Sequence, residues 1–311
     1  MGHIRVGVVG TGYLGSLHAR IYRNEVPGCS LEAVCDIRPE NLSKACSTLG
    51  VPGVGDHREM FGKVDAVSIA VPTALHYQVC KDFLLQGVHC LVEKPFTTTL
   101  RQADELIRLA DRKKLILQVG HVERFNSAFV STKEFFKNPY FIECHRLSLF
   151  PNRSLDIGVV LDLMIHDIDI ILGLVRSPIK RIEAVGVNVL TPYEDIANAR
   201  ITFRNGCVCN LTASRISDEA MRKIRIFLRD AYISLDYRDQ QAFIYKKGPT
   251  GITKNALPIE KEQPLQKELA SFVSCVAEHK SPLVTGKDGR EALALALKIR
   301  DQIWKNAPRF S

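Results

Sequence analysis

With 311 residues, 46% of them hydrophobic and 24% charged, the chain has ordinary globular composition and is long enough for two domains, each with a core. Its net charge of +8 comes from Lys and Arg scattered along the chain, without a basic block or interleaved aromatics, which argues against nucleic acid and for an anionic cofactor and substrate. No apolar run reaches the roughly 20 residues of a membrane span, nothing reads as a signal peptide, and the nine scattered cysteines fit reduced core thiols of a cytoplasmic protein, without the spacing of a metal site.

The apolar run Ile4–Val9 leads into Gly10-Thr11-Gly12-Tyr13-Leu14-Gly15 and then a helical pattern from Tyr13 to about Glu25. Strand, glycine turn and helix in that order suit a dinucleotide pyrophosphate: one glycine for the turn, one for close approach of the phosphates, one for helix–strand packing. The next strand, 31–35, ends in Asp36, about 20 residues on, where the adenosine ribose of NAD needs an acceptor. Asp36 would repel the 2′-phosphate of NADP, whereas Arg38 could hold one, so NAD leads and NADP stays possible. Strand and helix patterns keep alternating: a helix from Pro39 to Leu49, a short one near 58–61, a strand 66–71, a helix 75–86, a strand 89–92, a Thr99-capped helix to Arg112 and a strand 115–119. Continuous apolar strands separated by helices predict a doubly wound parallel sheet over residues 1–120.

From residue 121 to 311 the grammar changes. A helix 126–136, a strand 141–147 and a helix 158–174 precede strand-like segments at 179–190, 197–203, 207–214, 223–228, 231–235 and 241–245, which predict an α+β domain with a large, mostly antiparallel sheet. The Gly-, Pro- and Lys-rich stretch 246–263 reads as a mobile loop. Helices at 264–278 and 290–305 finish the chain, the last expected to pack back on the first domain.

Three stretches carry chemistry. Glu93-Lys94-Pro95 follows a strand of the parallel sheet, at the end where ligands gather, so Lys94 can hydrogen-bond a reacting hydroxyl, although a lysine in that place is more often a solvated charge. Asp162 and His166 lie four apart on an apolar helix, where a carboxylate can orient an imidazole for proton transfer, and Asp169 is read onto the same face. Gly120-His121-Val122-Glu123-Arg124-Phe125-Asn126 offers Arg124 and Asn126 to an anionic or hydroxylated ligand, or equally a helix start with Asn126 as N-cap.

Together with His18 and Val71-Pro72-Thr73-Ala74-Leu75-His76, these motifs resemble the Gfo/Idh/MocA family of NAD(P)-dependent oxidoreductases over nearly the whole chain. The resemblance implies an enzyme that oxidises a secondary hydroxyl of a sugar, with Lys94, Asp162 and His166 catalytic and His166 the general base. It also implies cofactor contacts from Pro72, Thr73, His76, Glu93 and Lys94, a cis Lys94–Pro95 bond, and a homodimer or homotetramer. Thr73 stands where the family commonly has Asn, and Met164 where it commonly has Gly, which would reshape the pocket floor. Residues 120–126 and 159–169 are similar to a bacterial subgroup containing UDP-N-acetylglucosamine 3-dehydrogenases, which act in lipid A biosynthesis. A nucleotide sugar is therefore the expected substrate, with free sugars or inositols as the alternative and a non-catalytic dinucleotide- and sugar-binding sensor or repressor as the other class.

Overall fold

A computed structural model describes residues 2–150, 156–248 and 251–306. Two compact units emerge, one of residues 1–122 with 263–290, the other of 123–262 with 291–311.

The first unit runs β1 (Ile4–Val9), α1 (Tyr13–Asn24), β2 (Cys29–Cys35), α2 (Pro39–Leu49), β3 (Gly53–Val54), β4 (Ala66–Ile69), α3 (Thr73–Leu85), β5 (His89–Glu93), α4 (Leu100–Lys113) and β6 (Leu117–Gly120). All pairs are parallel, in the order β3-β2-β1-β4-β5-β6, so the chain reverses its direction of travel across the sheet at β1 and β4. That is the place where a doubly wound sheet opens a crevice beyond its strand ends. The helices start where their sequences say: Pro39 opens α2, and the Thr99 hydroxyl accepts the Gln102 N–H at 3.3 Å to cap α4. The two-residue β3 has no sequence signal of its own.

The second unit contains α5 (Ser127–Thr132), β7 (Phe141–Leu147), a π-helical turn Val160–Met164 continuing into α6 (Ile165–Leu174), and β8 (Ile179–Val187), β9 (Ile196–Phe203), β10 (Val208–Ser214), β11 (Met221–Phe227), β12 (Ala231–Asp236), β13 (Gln241–Gly248) and β14 (Gly251–Ala256). The strand order is β14-β13-β12-β11-β7-β10-β9-β8, antiparallel except for β7 beside β10. Alternate residues such as Ile142, Cys144, Ile201, Leu211 and Ile224 turn inward onto Ile165 and Ile168 of α6.

Several expectations are revised. The helix expected over 126–136 is the six-residue α5 followed by a 3₁₀ turn, with Asn126 as N-cap. The stretch 246–263, expected as a loop, holds the end of β13 and all of β14; residues 249–250 within it, like 307–311, lie outside the described residues. Every residue of β14 is exposed, so it shows no alternation of apolar and polar side chains to betray a strand. Helix α7 (Pro264–Glu278), rather than the last helix, joins the parallel-sheet core, where Leu269, Phe272, Val273 and Val276 pack with Val6, Val8, Ile21 and Leu91. Apart from its first turn, α8 (Gly286–Asn306) belongs to the second unit, burying Leu295, Ala296, Ile299 and Ile303.

Candidate functional site

The glycine loop separates into two kinds of glycine. Gly10 has φ +86°, and a Cβ there would lie 2.7 Å from the Ala70 carbonyl oxygen; one at Gly15 would lie 1.7 Å from the Gly10 carbonyl oxygen. Those two are required by the packing of the strands and helix themselves. A Cβ on Gly12 would meet nothing within 4 Å. Gly12 is also the N-cap of α1, which has no side-chain cap and no acidic residue in its first turn. The loop thus presents an open, uncapped positive helix end beside bare backbone, a cradle for an anionic group.

That loop borders a cleft of about 670 Å³ whose lining includes Gly12, Asp36, Arg38, Asn41 and Pro72. Tyr13 is exposed, Leu14 half-buried, and Arg38 exposed at the start of α2. The residues present fit a dinucleotide: glycine backbone and helix end for the pyrophosphate, Asp36 for the ribose. Thr11 differs from expectation. It is buried, and both its N–H (2.7 Å) and its hydroxyl (3.0 Å) donate to Asp36 Oδ2, so it supports Asp36 rather than facing the phosphates.

At the ends of β4 and β5, Pro72 is the exposed N-cap of α3, and Thr73 is half-buried in its first turn. His76 is buried, its Nε2 2.8 Å from the Val71 carbonyl oxygen and its Nδ1 2.9 Å from that of Pro95. It ties the two strand ends together instead of reaching for a ligand. Burial holds its pKa below the ordinary value against the opposing pull of those two carbonyls. The Lys94–Pro95 bond is cis. Glu93, read as a cofactor contact, is also buried: Oε1 lies 3.1 Å from His18 Nε2, and Oε2 accepts the Lys94 N–H at 3.2 Å. Burial raises its pKa, but His18, Lys94 and His76 together bring it below the usual carboxylate value. Its carboxyl group would sit 2.8 Å from a Cβ at residue 120, which is why β6 ends on a glycine opposite Glu93. Lys94 is therefore held on a supported main chain at the strand end.

In the second unit, Asp162 lies in the π-helical turn and His166 is the second residue of α6, both half-buried. The uniform α-helix expected here is interrupted by a feature that often marks functional segments. The carboxylates flanking His166 turn inward. Arg146 donates to Asp167 through Nε (2.9 Å) and Nη2 (3.0 Å), and to Glu123 Oε1 through Nη1 (2.9 Å), all three side chains being buried. Burial raises the Asp167 pKa while the Arg146 charge opposes it; burial likewise depresses Arg146, and its two carboxylates outweigh that. Arg124 closes a second fork on Asp169 at 2.6 and 3.0 Å.

The expected substrate contacts of Arg124 and Asn126 are accordingly replaced by internal ones. Asn126 Oδ1 accepts the Ala128 N–H, and its amide donates to Glu123 and to the Tyr237 carbonyl, which uses both amide hydrogens. Asp169 does not share an exposed face with His166, and Met164 is fully buried in the core rather than on a pocket floor. Arg146 and Glu123 were invisible to sequence reasoning; two acidic residues, 167 and 169, in an apolar helix were the signal that buried cations must exist elsewhere.

The N-terminal residues 4–121 match the family model described as Gfo/Idh/MocA oxidoreductase, NAD-binding Rossmann fold, and residues 121–234 match a Gfo/Idh/MocA C-terminal domain. The chain is 37% identical over 305 residues to UDP-N-acetylglucosamine 3-dehydrogenase of Acidithiobacillus ferrooxidans, covering 96% of both chains. The solved structure of that enzyme superposes with a TM-score of 0.92, covering 97% of this chain and 98% of the other. Myo-inositol 2-dehydrogenase of Thermotoga maritima is 26% identical, with 96% of each chain covered. The fold alone is shared with scyllo-inositol dehydrogenase of Lactobacillus casei, solved with NAD(H) and scyllo-inositol, at a TM-score of 0.83, 22% identity and 97% coverage of both. The glycine cradle, the strand-end motifs and these matches lead to one conclusion: the chain belongs to the Gfo/Idh/MocA family and is an NAD-dependent oxidoreductase.

Proposed function

We propose that this protein oxidises a secondary hydroxyl of a nucleotide sugar to a ketone, the 3-hydroxyl of UDP-N-acetylglucosamine being the substrate tested first. The observation that carries this is the full-length 37% identity to a UDP-N-acetylglucosamine 3-dehydrogenase. The net charge of +8 accords with a substrate that brings a pyrophosphate of its own. NAD, when bound, supplies the nicotinamide that accepts a hydride. Gly12 and the N-terminus of α1 hold its pyrophosphate, and Asp36 its adenosine ribose. His166 takes the proton of the substrate hydroxyl, and Asp162, four residues before it, orients the imidazole. Lys94, at the end of β5, donates a hydrogen bond to a substrate hydroxyl and stabilises charge that develops on it. The nine free thiols fit a reducing cytoplasm, and exposed Val187 and Ile196, paired on β8 and β9, offer apolar area for the expected homo-oligomer.

The test is NADH formation at 340 nm with NAD and a panel of UDP-sugars, free hexoses and inositols, with a carbonyl trap to draw off the ketone. Turnover with UDP-N-acetylglucosamine, reduced by about 10²–10⁴ in Lys94→Ala and His166→Ala, is the expected result. Turnover with inositols alone would shift the assignment to the chemistry named for the Thermotoga relative. Tight NAD and sugar binding without turnover of any substrate would make the protein a sensor.

A further inference from the structure

Within the cleft, the two oxygens of Asp36 are treated unequally. Oδ2 accepts the Thr11 N–H at 2.7 Å, the Thr11 hydroxyl at 3.0 Å and the Asn41 amide at 3.4 Å. Oδ1 accepts the Arg38 N–H at 2.8 Å, its one donor among the described residues. A carboxylate oxygen has room for about two donors, so Oδ2 is filled and Oδ1 keeps one place. Thr11 is buried and rooted in the glycine loop, where its carbonyl accepts the Ser16 hydroxyl at 2.8 Å. It cannot follow Asp36 if that side chain turns.

We infer that Thr11 is a coenzyme-selectivity residue: by holding Oδ2 it aims Oδ1 at the ribose and stops Asp36 from swinging aside to admit a 2′-phosphate. This rests on Asp36 being the ribose acceptor. The locked carboxylate offers a ready partner to a ribose hydroxyl and a fixed negative charge to a phosphate. Exposed Arg38, next but one in sequence, is the cation that a 2′-phosphate would use once Asp36 was free to turn. Selectivity then depends on a side chain that touches neither coenzyme and acts only through another.

Binding measurements on the unmodified chain test this without turnover. NAD and NADP are titrated calorimetrically into wild type, Thr11→Val, Thr11→Ala, Thr11→Ser and Asp36→Asn, with each variant's fold checked by its thermal transition. Valine keeps the β-branched shape and the N–H and puts a methyl group in place of the hydroxyl, whereas alanine leaves that place empty. The expected result is a NAD Kd raised about three- to tenfold in Thr11→Val, a narrowed NAD/NADP ratio, and wild-type behaviour in Thr11→Ser. Thr11→Ala should reproduce the change if the valine variant does not fold. An unchanged ratio in a folded Thr11→Val or Thr11→Ala protein, with the ratio altered in Asp36→Asn, would overturn the role of Thr11. An unchanged ratio in Asp36→Asn would overturn the ribose assignment itself.

Discussion

The two units build their working parts by opposite means. Around Gly10–Gly15 the candidate site is made by leaving side chains out: it offers bare backbone and a helix end, and two of the three glycines are demanded by the fold itself. Around His166 the site is made by burying charge, with Arg146 and Arg124 drawing Asp167 and Asp169 inward on either side of the histidine's own helix turn. A cradle of the first kind tolerates change wherever space is open. A network of the second kind fails when any member goes, because each charge is bearable only through its partner.

The largest expected effect breaks the second region. Arg146→Met leaves Glu123 and Asp167 buried without their cation and should cost about 3–5 kcal/mol in urea unfolding; a cost below about 1 kcal/mol would show the network to be dispensable. Next comes Gly15→Ala, whose methyl would overlap the Gly10 carbonyl. It should destabilise at or above the about 1–3 kcal/mol typical of overpacking. Gly12→Ala sharpens the contrast: the entropy gained is offset by the loss of a preferred N-cap residue, so stability should change by less than about 1 kcal/mol while NAD affinity falls at least about tenfold. Equal stability losses at residues 12 and 15 would remove the distinction between the two glycines.

Acid should act on the first unit through its histidines. His76 and His89 are both held below the ordinary histidine value by burial, and His89 Nδ1 accepts the Ile116 N–H at 2.8 Å, which requires a bare nitrogen. Lowered folded-state values mean that their contribution is complete above about pH 6.5 and lost as pH falls below it. The melting temperature should therefore decline from pH 7 towards pH 5.5. His89→Asn, whose amide oxygen can take the same hydrogen bond, should flatten part of that slope. The smallest effect is expected at Tyr237, whose hydroxyl is buried with no hydrogen-bond partner among the described residues. Tyr237→Phe should leave stability unchanged or raise it by about 1 kcal/mol.

Legibility followed the same divide. The strand, glycine turn and helix around Gly10–Gly15 and the place of Asp36 just after β2 could be read because each depends on local backbone within a short stretch of chain. His76, by contrast, turns to the Val71 and Pro95 carbonyls, and Glu93 to His18. Arg124 and Asn126 looked ligand-facing because their partners are remote: Asp169 is 45 residues on, and the Tyr237 carbonyl 111 residues on. The π-helical turn leaves no mark in the 3.6-residue pattern, which continues through Val160, Met164 and Ile168. Helix α7 was bounded correctly at Pro264 and Glu278, but an amphipathic stripe says only that a partner exists and not which sheet it covers.

That α7 lies in the core of the first unit has a consequence for the chain during its synthesis. The parallel-sheet strands are complete by residue 120, yet the side chains that cover Val6, Val8 and Ile21, namely Leu269, Phe272 and Val276, are made only after the whole of 123–262. At ordinary translation rates that apolar surface waits on the order of ten seconds for its cover. Nascent chains of this protein should thus depend on holding chaperones over that interval. A fragment ending at residue 122 should aggregate unless the segment 263–290 is supplied to it.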